Sequence, residues 1–370
     1  MLVKITKLIG GAAAVTGLLA LSLTGAGVAH ADTNSGSLTT LAVAGSDTTM
    51  DLMEGLSTAI TINNAQVLSN YKATPTGTTI STRTGRAECT FNRPANSGDG
   101  RNALSLSVQG LQLPGSTSTT SSTGCVNVAR SSSGGNPSVV TAANLLTYIP
   151  VAADAVTFGL FPGAASGGAI NLADLQAIYS ANGTPGSAAC FNLRPLLPKF
   201  GSGSRSFFGT VLGKTDAALP GPWGTCVRDK TLDGAGVDIQ EHDGRFLSSA
   251  DQLIPYSVAQ FKTETKGVLA NDIHGSAFLG SIDFANGNGL TALDPFDVLN
   301  YGTATRPVFN VVPTAETTNG STTQTVFVGQ NSLACQQTAV IKSYGFAPLP
   351  ATGIPGQPNT DCGNTVKKNT

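Results

Sequence analysis

Four short polar turns carry most of the side chains in this sequence that are suited to chemistry: Ser46-Asp47-Thr48-Thr49, Ser97-Gly98-Asp99-Gly100, Arg130-Ser131-Ser132 and Ser202-Gly203-Ser204-Arg205. Each places hydroxyls, often with glycine, where a strand ends or a helix begins. The first N–H groups of a helix have no partner within it, and the helix dipole favours negative charge there. Glycine lets the backbone approach a ligand closely. Hydroxyls add donors, and Arg130 and Arg205 add charge in a planar fork. Donors of this kind converging from several elements would surround a small oxyanion. Taken singly, each turn reads equally well as an ordinary helix cap.

Other chemistries are poorly provided for. Beyond residue 31 the chain has two histidines, His242 and His274, and it has no Gly-x-Ser-x-Gly elbow for a hydrolase nucleophile. Glu241-His242-Asp243 reads as the polar start of a helix, and Trp223 as part of a packed loop. The six cysteines, Cys89, Cys125, Cys190, Cys226, Cys335 and Cys362, show no C-x-x-C or H-x-x-x-H spacing that would suit zinc. An even count in an exported chain reads as disulfides. Local loop closure favours pairing neighbours: 89 with 125, 190 with 226, and 335 with 362. No metal or organic cofactor is expected.

The elements that must position the turns follow from pattern. Residues 37–44 form a strand running into Gly45, and Met50, Leu52, Met53, Leu56 and Ile60 fall at helical spacing after the capping side chains of residues 47–49. Leu104, Leu106 and Val108 suit a helix or a strand, residues 114–124 a surface loop, and residues 126–129 a short strand. Residues 145–160 are strand-like, with Pro150 as an interruption. Asn171 caps a helix through Tyr179, residues 191–200 form an edge strand held short by Pro195 and Pro198, and Phe207, Phe208, Val211 and Leu212 lie on a helix after Arg205. Residues 243–253 read as a helix, 254–261 as a strand, and 314–325 as surface. Alternating strands and helices imply an α/β fold with a largely parallel sheet.

The chain has 370 residues, a net charge of −1 and 12% charged residues. That balance excludes the basic excess of non-specific nucleic-acid binding, and 40% hydrophobic residues exclude global disorder. Lys4 and Lys7 precede an apolar run from Leu8 to Leu23, and Ala29-His30-Ala31 is a small-x-small cleavage pattern. Residues 1–31 therefore read as a secretory signal peptide, with the rest secreted or periplasmic, and no cysteine near Ala31 offers a lipid anchor. Leu349-Pro350-Ala351-Thr352-Gly353 matches a cell-wall sorting pattern, but the residues after it are polar and do not form a membrane span.

In this order the four turns resemble those of the substrate-binding proteins of bacterial phosphate ABC importers. Gly45-Ser46-Asp47-Thr48-Thr49 is similar to that family's first phosphate loop, and Asn96-Ser97-Gly98-Asp99-Gly100 to its Ser-Gly-Gly helix start. Val128-Ala129-Arg130-Ser131-Ser132 resembles a strand entering the site. Gly201-Ser202-Gly203-Ser204-Arg205-Ser206-Phe207-Phe208 resembles the Gly-Ser-Gly-Thr-Arg helix start and is the most specific match. Residues 172–179 resemble the helix before it, and residues 344–350 the closing segment. The resemblance implies an α/β, two-lobed, periplasmic-binding-protein-like clamshell of type 2. One lobe would comprise residues 32–150 and 262–370, and the other residues 151–261, with no disulfide across the hinge. It implies a monomeric binding protein, not an enzyme, that holds phosphate or a similar oxyanion in the cleft and delivers it to an ABC importer membrane complex. Residues 46–49, 97–99, 130–132 and 202–205 would be the ligand set. The family's acid before Gly-Ser-Gly is replaced here by Lys199-Phe200, so Asp47, or else Asp99, is expected to read the proton of hydrogen phosphate. The competing reading is a secreted surface or adhesion protein, on its Ser, Thr and Gly richness.

Overall fold

A computed structural model describes residues 32, 40–139, 142–164, 168–231, 236–269, 272–284, 294–318 and 320–370. The expected leader over residues 1–31 and most of the first strand's approach, 33–39, lie outside the described residues. No helix among the described residues is long and apolar enough to cross a membrane.

The chain opens with strand β1 (Leu41–Gly45) and helix α1 (Met50–Ala59), as the spacing of apolar residues predicts. A small hairpin, β2 (Thr61–Ile62) and β3 (Ala65–Gln66), leads to β4 (Leu68–Asn70), and a second, β5 (Thr79–Ser81) and β6 (Thr90–Asn92), leads to α2 (Ser97–Gln109). The ambiguous residues 104–108 are thus helical. Asn96 caps α2, and Gly110 ends it in the left-handed conformation that glycine adopts freely. Strand β7 (Val128–Ser131) precedes the long strand β8 (Leu146–Leu160), all fifteen residues of which are buried. Such a run needs cover on both faces.

Next come β9 (Ala169–Asn171), α3 (Leu172–Ile178), the short edge strand β10 (Arg194–Pro195) and α4 (Gly203–Val211). The predicted Asn171 cap is present, its side chain accepting from the Asp174 N–H at 2.8 Å. The chain continues through β11 (Gln252–Ser257), α5 (Val258–Thr265), β12 (Phe278–Leu279) and β13 (Ser281–Asp283). It returns along β14 (Thr305–Pro313) and ends with α6 (Thr322–Phe327) and α7 (Thr338–Ser343).

Seven strands follow the order β10-β11-β8-β14-β7-β1-β4, with β12 also on β8. The sheet is mixed, which corrects the largely parallel expectation. β1 pairs in parallel with β4 and β7, and β10 with β11, but β8 and β14 run antiparallel to each other and to their outer neighbours. Opposite the Val308/Phe309 step the β8–β14 register slips by one residue, at Pro150-Val151, where proline cannot donate to the ladder.

Alternation along β1 assigns its two faces. Val43 packs with α1, α6 and α7 through Leu52, Leu56, Phe327 and Ile341, whereas Ala42 and Ala44 face α2 with Leu104. The far half of β8 supports a separate core built from Phe158, Leu175, Tyr179, Phe208, Trp223, Ile282 and Tyr301. Two lobes thus lie along β8 and β14.

Three expectations need correction. Residues 243–253 do not form a helix: only Gly244–Phe246 make a single tight turn before β11. The strand read over 254–261 stops at Ser257, whose hydroxyl accepts from the Gln260 N–H at 3.2 Å and starts α5. Residues 314–325, read as surface, include the start of α6, where Thr323 is buried. The three neighbour disulfides, Cys89–Cys125, Cys190–Cys226 and Cys335–Cys362, are formed.

Candidate functional site

The turn after β1, the start of α2, the end of β7 and the start of α4 meet at one buried point. Gly45 makes the first junction possible. Its φ is 124°, and a Cβ there would lie 2.6 Å from the Arg130 carbonyl oxygen. The Ser46 N–H donates to that same carbonyl at 3.0 Å. The Ser46 hydroxyl reaches Ser132 Oγ at 3.2 Å, Ser97 Oγ lies 3.2 Å from the same Ser132 hydroxyl, and the Ser132 N–H donates to Ser97 Oγ at 3.0 Å. From the second lobe, Ser202 caps α4 by accepting from the Arg205 N–H at 3.0 Å, and Ser204 Oγ lies 3.2 Å from Thr48 Oγ1. The Gly98 N–H donates to the Gly201 carbonyl at 3.2 Å. At Gly203 a Cβ would come within 2.2 Å of Ser132 Oγ and 2.4 Å of Ser97 Oγ, so only glycine lets α4 approach this closely.

Ser46, Thr48, Ser97, Ser132, Ser202 and Ser204 have no exposed surface, so the structure does bring these predicted residues together. Their hydroxyl–hydroxyl contacts at 3.2 Å are long for O–H···O bonds. They are the kind of bond a charged acceptor would displace, since donation to an oxyanion is shorter and about twice as strong. The N–H groups of Gly203 and Ser204 belong to the first turn of α4, where no intrahelical partner exists.

The guanidinium at this point is Arg306 of β14, which the sequence reading missed. Its Nε and Nη2 grip Asp154 Oδ2 of β8 at 3.1 and 2.7 Å, Nη1 donates to the Ser132 carbonyl at 3.0 Å, and Nη2 also donates to Ser204 Oγ at 3.0 Å. Asp154 is itself fixed by the Ser257 hydroxyl and the Ala259 N–H. Nothing local marks Arg306: it precedes a proline in a strand, and its significance comes from pairing with β8 opposite Asp154.

Two predicted arginines are placed elsewhere. Arg130 points back beneath the first loop, donating to the carbonyls of Ser46, Gly45, Val43 and Tyr71 and to Asn70. Arg205 points away into the second lobe, pairing with Asp216 at 2.8 Å and Asp229 at 3.0 Å and donating to the Pro198 and Ala217 carbonyls. Both guanidiniums brace loops. Ser131 is likewise turned aside, accepting from Arg101 at 2.7 Å and donating to the Ser133 carbonyl. Asp99 is a capping residue, accepting from Asn96 Nδ2 at 2.8 Å and the Ala95 N–H at 3.2 Å. Thr49 is buried beside the site, and its hydroxyl has no partner among the described residues.

Acidic groups complete the arrangement. Glu241 Oε2 accepts from the Thr48 hydroxyl and from Ser204 Oγ, while its Oε1 is buried without a partner among the described residues. Burial opposes ionisation of Glu241, but His242, the Ser202 and Thr48 hydroxyls and Arg306 outweigh it and hold the carboxyl below its usual range. Burial pushes His242 down to about 4. Asp47, whose Oδ2 lies 3.6 Å from His242 Nε2, is pushed up to about 8 by burial foremost, then by Glu241 and Asp51, against Arg130 and Lys199. At neutral pH one acid of the site is therefore charged and the other mainly protonated. His242 adopts a φ of 40°, a left-handed conformation rare outside glycine, asparagine and aspartate. That kink, not a helix start, precedes the tight turn at residues 244–246 and leaves Glu241 facing inward.

No protein-family model and no curated protein matches the chain. Among solved structures, it is similar to an ABC-type phosphate transport receptor from Vibrio cholerae, at 13% identity and a TM-score of 0.47, over 84% of this chain and 100% of that one. It is similar to a putative phosphate ABC transporter substrate-binding protein with bound phosphate from Clostridium perfringens, at 13% identity and a TM-score of 0.49, over 84% and 100%. A phosphate-binding protein from Stenotrophomonas maltophilia matches at 13% identity and a TM-score of 0.42, over 84% and 91%. At these values the functional reading rests on this chain's own residues.

Proposed function

We propose that the cluster binds monohydrogen phosphate and that the protein is an exported solute-binding protein performing no chemistry on its ligand. The observation that carries the reading is the buried, unpartnered Glu241 Oε1 amid hydroxyl donors. Unsatisfied buried carboxylate oxygens are rare and costly. Hydrogen phosphate supplies what is missing: one O–H for Glu241, and oxygens for the hydroxyls of Ser46, Ser97 and Ser132, the α4 N–H groups and Arg306. Sulfate, with no proton at neutral pH, would face Glu241 with repulsion alone. The proton reader in this proposal is Glu241, with Asp47 a neutral neighbour. The ligand set is narrower than residues 46–49, 97–99, 130–132 and 202–205, and it gains Arg306 and Glu241.

In this reading the lobes close on the ligand about β8 and β14, one comprising roughly residues 40–150 and 314–370 and the other roughly 160–304. Delivery to an ABC importer follows from the sequence resemblance. Titration calorimetry with phosphate and sulfate tests the proposal. Wild type is expected to prefer phosphate, and Glu241→Gln, whose amide also donates, to lose at least tenfold of that preference. Equal affinity of wild type for the two anions sinks the reading.

A further inference from the structure

A cavity of about 540 Å³ adjoins the hydroxyl cluster and shares two residues with it, Ser132 and Arg306. Phe207 and Phe309 form apolar walls, and Val366 and Lys367 lie on the C-terminal side. The Phe207 ring lies 5.5 Å from the guanidinium carbon of Arg306, so one aromatic face borders both compartments. Inorganic phosphate has five heavy atoms and needs on the order of 100–150 Å³, taking about 30 Å³ for each water-sized atom. The cavity is several times larger. Its size and its mainly apolar lining with a few polar groups are those of a pocket for an organic ligand.

Arg306 supplies a second observation. A guanidinium has five N–H groups. Four are taken: Nε and one Nη2 by Asp154, the other Nη2 by Ser204, and one Nη1 by the Ser132 carbonyl. The remaining Nη1 N–H has no partner among the described residues.

We infer that this cavity is a subsite for the organic substituent of a phosphomonoester whose anionic head is held at Ser132 and Arg306. The inference rests on the oxyanion reading of the cluster and extends its ligand class to small esters of phosphoric acid. The substituent packs against Phe207 and Phe309, and the remaining P–O–H of the ester donates to Glu241. The bound form is therefore the monoanion, which predominates below the second ionisation near pH 6.

The test is calorimetric titration at pH 5.5 with inorganic phosphate and with phenyl phosphate, using wild type and Val366→Trp. Val366 is 63% exposed, so the larger side chain fills the cavity mouth without entering a core. Wild type is expected to bind phenyl phosphate at least tenfold more tightly than inorganic phosphate once the latter's affinity is referred to its monohydrogen fraction at this pH, and Val366→Trp to lose that advantage with phosphate affinity unchanged. If wild type binds phosphate but gains nothing from the phenyl group, the subsite is overturned and the phosphate reading stands. If Val366→Trp keeps the advantage, the substituent lies elsewhere and the subsite is again overturned. If neither ligand binds, the oxyanion reading fails and the subsite with it.

Discussion

Arg205 and Arg306 divide between them what one arginine was expected to do. Arg205 follows the Gly-Ser-Gly turn but is wholly buried on the far side of α4, between two aspartates. Removing one partner of a buried ion pair leaves the other uncompensated, at ~3–5 kcal/mol when both are deeply buried. Asp216 and Asp229 are 11% and 22% exposed, so Arg205→Ala is expected to cost less, ~2–3 kcal/mol of stability. Phosphate affinity of the folded fraction should barely move. Arg306→Lys should instead weaken binding, on top of any stability lost with its buried pair to Asp154. Lysine keeps the charge but cannot hold Asp154 and also reach both Ser132 and Ser204. A hydrogen bond to a charged group is worth ~1.5–3 kcal/mol, so phosphate affinity should fall roughly ten- to a hundredfold. Urea unfolding and calorimetry on both variants decide the matter. A large affinity loss in Arg205→Ala with unchanged stability would restore the reading from sequence.

The start of α4 works as an element because it lacks a side chain at Gly203. Alanine is preferred over glycine inside helices by ~1 kcal/mol, so propensity alone makes Gly203→Ala neutral or mildly stabilising. The added methyl would instead push aside Ser132 Oγ and Ser97 Oγ. Both are hydroxyl ends that can rotate, so the fold should survive while the ligand's donors are misdirected. The expected outcome is a modest fall in the unfolding midpoint, from the buried hydroxyl bonds that are broken, with at least tenfold weaker phosphate binding. Equal loss of both would mean that Gly203 serves only packing. The Gly-Ser-Gly pattern stood out in the sequence for this reason: glycine where helix propensity disfavours it marks a close approach. Which surface it approaches was not legible, because Ser97 and Ser132 are over seventy residues away in sequence.

Across the whole molecule, three buried titrating groups set the pH dependence of stability. Burial raises Asp47 from 3.8 to about 8 and Glu264 from 4.5 to about 8, and lowers His242 from 6.5 to about 4. For the two acids the folded state holds a proton that the unfolded state has released, so their contribution is complete at low pH and is lost as pH rises toward 8. For His242 the unfolded state takes a proton below about 6.5 that the folded state refuses until about 4, so its contribution is lost as pH falls through that window. The slopes oppose one another between about 4 and 6.5. Between 6.5 and 8 the acids act alone, and stability is expected to fall with rising pH. Asp47→Asn should flatten that fall by up to ~1.4 kcal/mol per pH unit. Urea midpoints at about pH 6.5, 7.2 and 8 measure it, and a slope unchanged in Asp47→Asn would show that Asp47 holds no proton in the folded state.

The features legible in the amino-acid order are local ones. Apolar spacing placed α1, α3 and α4, polar caps marked where those helices begin, and loop closure paired the cysteines, because each of these forces acts over a few residues or a single loop. The turns whose hydroxyls converge could be singled out in the same way. Which charged groups face them is settled only in the folded chain. Arg130 and Arg205 sit in the right turns but their side chains turn away, toward carbonyls and aspartates that satisfy them. Arg306 and Glu241 enter because antiparallel pairing of β14 with β8 sets one opposite Asp154 and the left-handed kink at His242 leaves the other facing inward. Side-chain direction at a buried site depends on partners more than a hundred residues distant, such as Asp154 for Arg306 and Thr48 for Glu241, and no local pattern encodes them.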